Sequence, residues 1–131
     1  MSIEVELSTL ADTVARYRFA YLLTVGAAGP PHAVALMPRI DGGVLTVEGL
    51  GRRTRDNLRA HPTISLVWPP ASLDEYSLIV DGEATASGES ARITPTRAVL
   101  HRPAPRPEPV TEGACGSDCI ELPLPVEPSS D

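Results

Sequence analysis

The chain has 131 residues, room for one domain, and 42% hydrophobic content is enough to build a packed core. A net charge of −6 and an isoelectric point near 5.0 exclude general affinity for nucleic acid or for anionic membrane surfaces, because both need a broad basic field. Every basic residue is arginine, which excludes Schiff-base or general-base chemistry at lysine.

The N-terminal MSIEVELS is acidic and polar where a secretory leader would be basic and then apolar. No apolar run approaches the roughly 20 residues of a membrane-spanning helix, so the expectation is a cytoplasmic protein. From Ser8 to Arg18, Leu10, Val14 and Tyr17 recur at helical spacing after a Ser8/Thr9 cap, which predicts a short amphipathic helix. Ala20 to Val25 reads as an apolar strand that ends in the breaker-rich GAAGPP. His32 to Ile40 reads as a second strand, and Asp41-Gly42-Gly43 predicts a tight hairpin to a partner strand from Val44 to Glu48, because these residues accept positive φ.

The next stretch, GLGRRTRDNLRAHP, packs Arg52, Arg53, Arg55 and Arg59 close together in an acidic protein. Thr54 is the expected N-cap of a helix running to Ala60, with Asp56 in its first turn and Pro62 beyond its end. A strand, a glycine turn and a helix start rich in guanidinium donors suit a phosphate, while the same charges also suit a solvated helix face.

Thr63 to Trp68 alternates with Ile64, Leu66 and Trp68 on one face. The strand from Tyr76 to Ala86 carries Asp81-Gly82 in its middle, which predicts a bulge or sharp bend. Arg92 to Leu100 is the last predicted strand, with Pro95 at an edge or a bulge. About six strands and two short helices predict a mainly β protein, a small antiparallel barrel over residues 1–102.

From residue 103 to 131 the chain is rich in proline, loses periodicity and holds both cysteines, so an extended arm or a disordered tail is expected. Ile120, Leu122 and Leu124 would give such an arm alternating apolar residues for docking on a partner subunit. Cys115 and Cys119 could chelate a metal, form a disulfide, join the same pair of a second subunit in a four-thiolate site, or remain free thiols. His32, His61 and His101 are too scattered for metal ligation, and Ser65 and Ser77 have no histidine and acid arranged beside them for hydrolysis.

The succession AYLLTVGAAGPPHAVAL, DGGVLTVEGLGRRTRDNLRAHPTISLVW and SLIVDGEAT resembles the flavin-binding split-barrel family, the pyridoxamine 5'-phosphate oxidase-like proteins, over about residues 8 to 100. The resemblance is most specific in the run Asn57, Leu58, His61, Pro62 and Ile64 to Trp68. It implies a homodimer of six-stranded split barrels with a flavin at each side of the subunit interface. It implies an FMN phosphate on Arg52, Arg53 and Thr54, with Asn57 beside them. The flavin ring would lie against Val34, Ala35, Leu36 and Met37 of one strand and Thr46, Val47 and Glu48 of another.

Many family members carry a lysine in the basic turn; here the position three before Asn57 is Thr54, with Arg53 the nearest candidate, and an arginine fork can chelate a phosphate in a way that lysine cannot. The implied activity is hydride transfer to or from a small organic substrate, with no side chain required as acid or base. Related members use a deazaflavin or bind haem, so a deazaflavin-dependent reductase and a non-catalytic binding or sensing module stand as alternatives. The C-terminal substrate-phosphate residues of true pyridoxamine phosphate oxidases have no counterpart here.

Overall fold

The computed structural model describes residues 2–104. Eight antiparallel strands form one sheet: β1 (Ser2–Glu4), β2 (Ala20–Val25), β3 (Pro31–Leu36), β4 (Arg39–Asp41), β5 (Val44–Val47), β6 (Thr63–Trp68), β7 (Ser77–Ser87) and β8 (Ser90–His101). A 3-10 turn (Leu7–Thr9) leads into α1 (Leu10–Val14), and α2 (Arg52–Ala60) joins β5 to β6. The strand order is β3-β2-β6-β7-β8-β5-β4, with β1 paired to the far half of β8. β3 and β4 stand at opposite ends of that order, yet only Met37 and Pro38 connect them. The sheet must therefore curl until its two edges meet at that corner, and the result is an antiparallel half-barrel.

Alternation along the strands fills the barrel. Leu22, Leu45, Leu66, Trp68, Leu78, Val80 and Ile93 are fully buried on its inner face. Trp68 is thus a core residue. α1 is shorter than its expected span, but Leu10 is buried, and Val14 and Tyr17 pack on the core as the helical spacing requires. The Thr9 hydroxyl donates to the Glu6 carbonyl (3.0 Å) rather than capping α1. The Asp41-Gly42-Gly43-Val44 hairpin forms with both glycines at positive φ, 62° and 81°.

The bulge also forms. Asp81 pairs with Arg97 and Gly82 with Pro95, so Thr96 is the extra residue, on β8 opposite the glycine. Before the bulge β8 pairs with β5, and beyond it with β1, so one strand serves two walls of the barrel.

Three expectations are corrected. The six-strand count omits β1 and β4. The strand expected from His32 to Ile40 breaks at Met37-Pro38, where proline has no N–H to donate and the barrel turns its corner. α2 begins at Arg52 with Gly51 as its N-cap, and Thr54 is inside the helix and buried. Its side chain belongs to the helix face that packs on the barrel, and that burial outweighs its capping preference. Cys115, Cys119 and the apolar residues of the tail lie outside the described residues.

Candidate functional site

The corner where the two sheet edges meet holds an open cleft of about 380 Å³, lined by Ala35, Leu36, Met37, Arg39, Thr46 and Glu48. Strand alternation explains its composition. Leu45 and Val47 point into the core, so Thr46 and Glu48 face outward, and Arg39 stands opposite Thr46 in the β4–β5 ladder. The walls thus combine apolar Ala35, Leu36 and Met37 from one edge with polar Arg39, Thr46 and Glu48 from the other. Arg39 and Glu48 face each other at 3.6 Å, both largely exposed.

Beyond Glu48 the chain crosses three residues to α2. The Leu50 N–H donates to the Glu89 carbonyl (2.9 Å), which anchors this turn to the β7–β8 hairpin. The first N–H bonded within the helix is that of Arg55, to the Gly51 carbonyl at 3.0 Å. The N–H groups of Arg52, Arg53 and Thr54 thus have no partner within the helix and point outward from its N-terminus.

The four arginines divide into two pairs. Arg55 folds back on the Gly51 carbonyl (3.2 Å) and Arg59 pairs with Asp56 (3.2 Å). Among the described residues, Arg52 and Arg53 have neither a hydrogen-bond nor an ion-pair partner for their guanidinium groups, and both are exposed. Two unpaired guanidinium groups and the N–H groups of a helix start make a local cationic patch of the kind that suits phosphate.

The fold thus brings Ala35, Leu36, Met37, Thr46 and Glu48 into one cleft and places Arg52 and Arg53 at the next helix start. Val34 packs against the core and Val47 lies within it, so each could face a ligand only through its backbone. Thr54 is 2% exposed, so its hydroxyl is turned away from any ligand at the helix start. Asn57 is turned inward, where its Nδ2 donates to the buried Thr24 Oγ1 at 3.0 Å. A Cβ on Gly26 would come within 2.6 Å of the Asn57 Oδ1, so the glycine makes room for this latch between α2 and the end of β2. Arg39 is the lining residue that the sequence reading left out. The hairpin register carries its signal, since Arg39 lies two residues before Asp41 as Thr46 lies two after Val44.

A second, larger cavity of about 460 Å³ opens at the end of the barrel, between the α1–β2 connection and the β6–β7 connection, with Tyr17, Phe19 and Tyr76 in its walls. The Tyr17 hydroxyl donates to the Tyr76 carbonyl (2.8 Å), and burial pushes its pKa above the ordinary tyrosine value, with Arg16 pulling it down and Glu75 raising it. No group of metal-ligating side chains occurs among the described residues, and none of their helices is long and apolar enough to cross a membrane.

No family model matches the chain. It is 38% identical over 138 residues to the uncharacterized proteins Mb0449c of Mycobacterium bovis and MT0457 of Mycobacterium tuberculosis, covering 93% of this chain and 97% of each relative. Solved structures share its fold at low identity. A pyridoxamine 5'-phosphate oxidase-like protein of Listeria innocua superposes with a TM-score of 0.60 at 15% identity, covering 72% of this chain and 96% of that one. An FAD-binding protein of Mesorhizobium loti gives 0.59 at 14% identity (76% and 96%), and an F420 reductase gives 0.51 at 18% (61% and 87%). The chain belongs to one family with these mycobacterial proteins, and its fold is that of the flavin-binding split-barrel, pyridoxamine 5'-phosphate oxidase-like proteins.

Proposed function

We propose that the protein is a flavin-dependent oxidoreductase that binds FMN in the corner cleft and acts on a small organic substrate. The observation that carries this reading is the pair of unpartnered arginines, Arg52 and Arg53, at a helix start that three residues separate from Glu48 of the cleft. The donor set fits the cofactor: a dianionic phosphate matches two guanidinium forks and the first-turn N–H groups of α2. FMN would supply reversible hydride transfer, and the protein would supply position and electrostatics. In that scheme Arg52 and Arg53 hold the phosphate and α2 directs its positive end toward it. Ala35, Leu36 and Thr46 form the walls against which the ring is held, with backbone from the Val34 and Val47 segments behind them.

The cleft is open on its outer side, and this supports a homodimer in which a second copy closes it. The outer face beside it carries Tyr21 and Val25, each more than 40% exposed, and Met37, 74% exposed. Such an apolar surface is the kind that a subunit contact covers.

The experiment is FMN titration of the purified protein followed by flavin fluorescence, repeated for Arg52→Ala and Arg53→Ala. Saturable quenching is expected, with each substitution weakening binding by about 1.5–3 kcal/mol, the usual scale for a hydrogen bond to a charged group. Unchanged affinity in both variants would leave the arginines as a solvated face. The F420 reductase among the fold neighbours supports a second reading, a deazaflavin in the same cleft. Binding of the deazaflavin with indifference to FMN would select it.

A further inference from the structure

The larger cavity at the barrel end belongs to neither the cleft nor the basic turn. Its walls are flat and apolar: the rings of Tyr17, Phe19 and Tyr76 and the prolines Pro69 and Pro70. Two of these rings are fixed in place. The Tyr17 hydroxyl is bound by the Tyr76 carbonyl at 2.8 Å, and the Arg102 guanidinium lies 4.6 Å over the Tyr76 ring. Because the Tyr17 hydroxyl is already engaged, the charged groups lining the cavity are Arg16, Arg18 and Glu75, two cations against one anion. Arg16 and Arg18 are exposed, and among the described residues neither has a hydrogen-bond or ion-pair partner. The whole chain carries a net charge of −6, so a cationic rim on an aromatic slot is a local departure from its surroundings.

We propose that this cavity is a binding site for a small aromatic anion, its ring between the tyrosine, phenylalanine and proline walls and its carboxylate or phosphate on Arg16 and Arg18. Rings stack or pack edge-on against aromatic walls, and guanidinium forks select planar anions over neutral groups. The site is separate from the cleft and linked to it only through one strand pair. Phe19, on its wall, packs edge-on against Tyr21 with ring centroids 5.4 Å apart, and Tyr21 pairs with Ala35 of the cleft. The binding proposal is independent of what the cleft holds.

The test is an NMR titration of the uniformly 15N-labelled full-length protein with salicylate, which has one ring and one carboxylate. Saturable shifts are expected at the amides of Arg16 to Phe19 and Tyr76, with affinity about tenfold weaker in R16Q/R18Q, as befits two lost charge-assisted contacts on an exposed rim. Benzyl alcohol, a ring without charge, and acetate, a charge without a ring, should each bind at least as weakly. R52Q/R53Q should bind salicylate like the parent, and an FMN titration of the same samples scores the flavin reading separately. The proposal is overturned by equal affinity in R16Q/R18Q, by benzyl alcohol binding as well as salicylate, or by no saturable shift up to about 10 mM, too weak for a built site.

Discussion

Asn57 shows how one residue can be read correctly as important and still be given a different role. Its place in the NL…HP run ties it to the cofactor turn by resemblance, yet its amide is spent on the buried Thr24 hydroxyl at 3.0 Å. Asn57→Ala would leave that hydroxyl without its partner in a buried setting, so a loss of about 1–3 kcal/mol in folding stability is expected. FMN affinity should stay close to that of the parent, and denaturant unfolding alongside a flavin titration separates the two effects. Since a side chain on Gly26 would meet the Asn57 amide, Gly26→Ala should cost less in the Asn57→Ala background than alone, a coupling that a double-mutant cycle measures. Thr54 gives the same lesson in reverse. The preference of threonine for helix caps is a property of the isolated turn, and it yields here to a helix face that buries Thr54 and Leu58 against the barrel. Nothing local in the sequence states which face that is.

At the scale of elements, turn chemistry was the most legible part of the sequence. Asp41-Gly42-Gly43 forms its hairpin because positive φ at two successive positions is a glycine requirement that no packing choice can override. Asp81-Gly82 and Pro95 mark the bulge from both of its strands, since the glycine allows the close approach and the proline needs no ladder partner for its nitrogen. A Cβ on Gly82 would come within 2.7 Å of the Thr94 carbonyl and 2.9 Å of the Ile93 side chain. Gly82→Ala is therefore expected to destabilise the protein by about 1–3 kcal/mol, the usual cost of overpacking, as a lower unfolding midpoint with the slope unchanged. β1 and β4 were not legible for the opposite reason. Ser2–Glu4 has no buried residue and Arg39–Asp41 only one half-buried, so neither offers the alternation that betrays a strand. They exist because β8 and β5 leave an edge for each to pair with, which is a property of the neighbour. The cleft was legible in part for a related reason: its strand residues follow from alternation, whereas Arg39 enters through pairing alone.

For the whole molecule, the exposed apolar outer face bears on assembly. A homodimer closing the cleft should sediment at twice the 13.9 kDa of the chain. The double substitution Tyr21→Asp and Val25→Asp, on exposed outward positions, should shift it to the monomer with the fold retained, as read by sedimentation velocity and circular dichroism. A dimer that survives this charge pair would place the contact elsewhere. The pairing of β1 with the far half of β8 has a different consequence, for how the chain reaches this structure. Ser2 must find His101, nearly the full described length away, whereas the β7–β8 hairpin closes through neighbouring residues. Such non-local seams put folding on the millisecond-to-second scale, with the hairpin formed early and the N-terminal seam late. The two ends of the barrel domain are therefore expected to join last, by a strand of three exposed residues, and a nascent chain lacks that seam until residue 101 has been made.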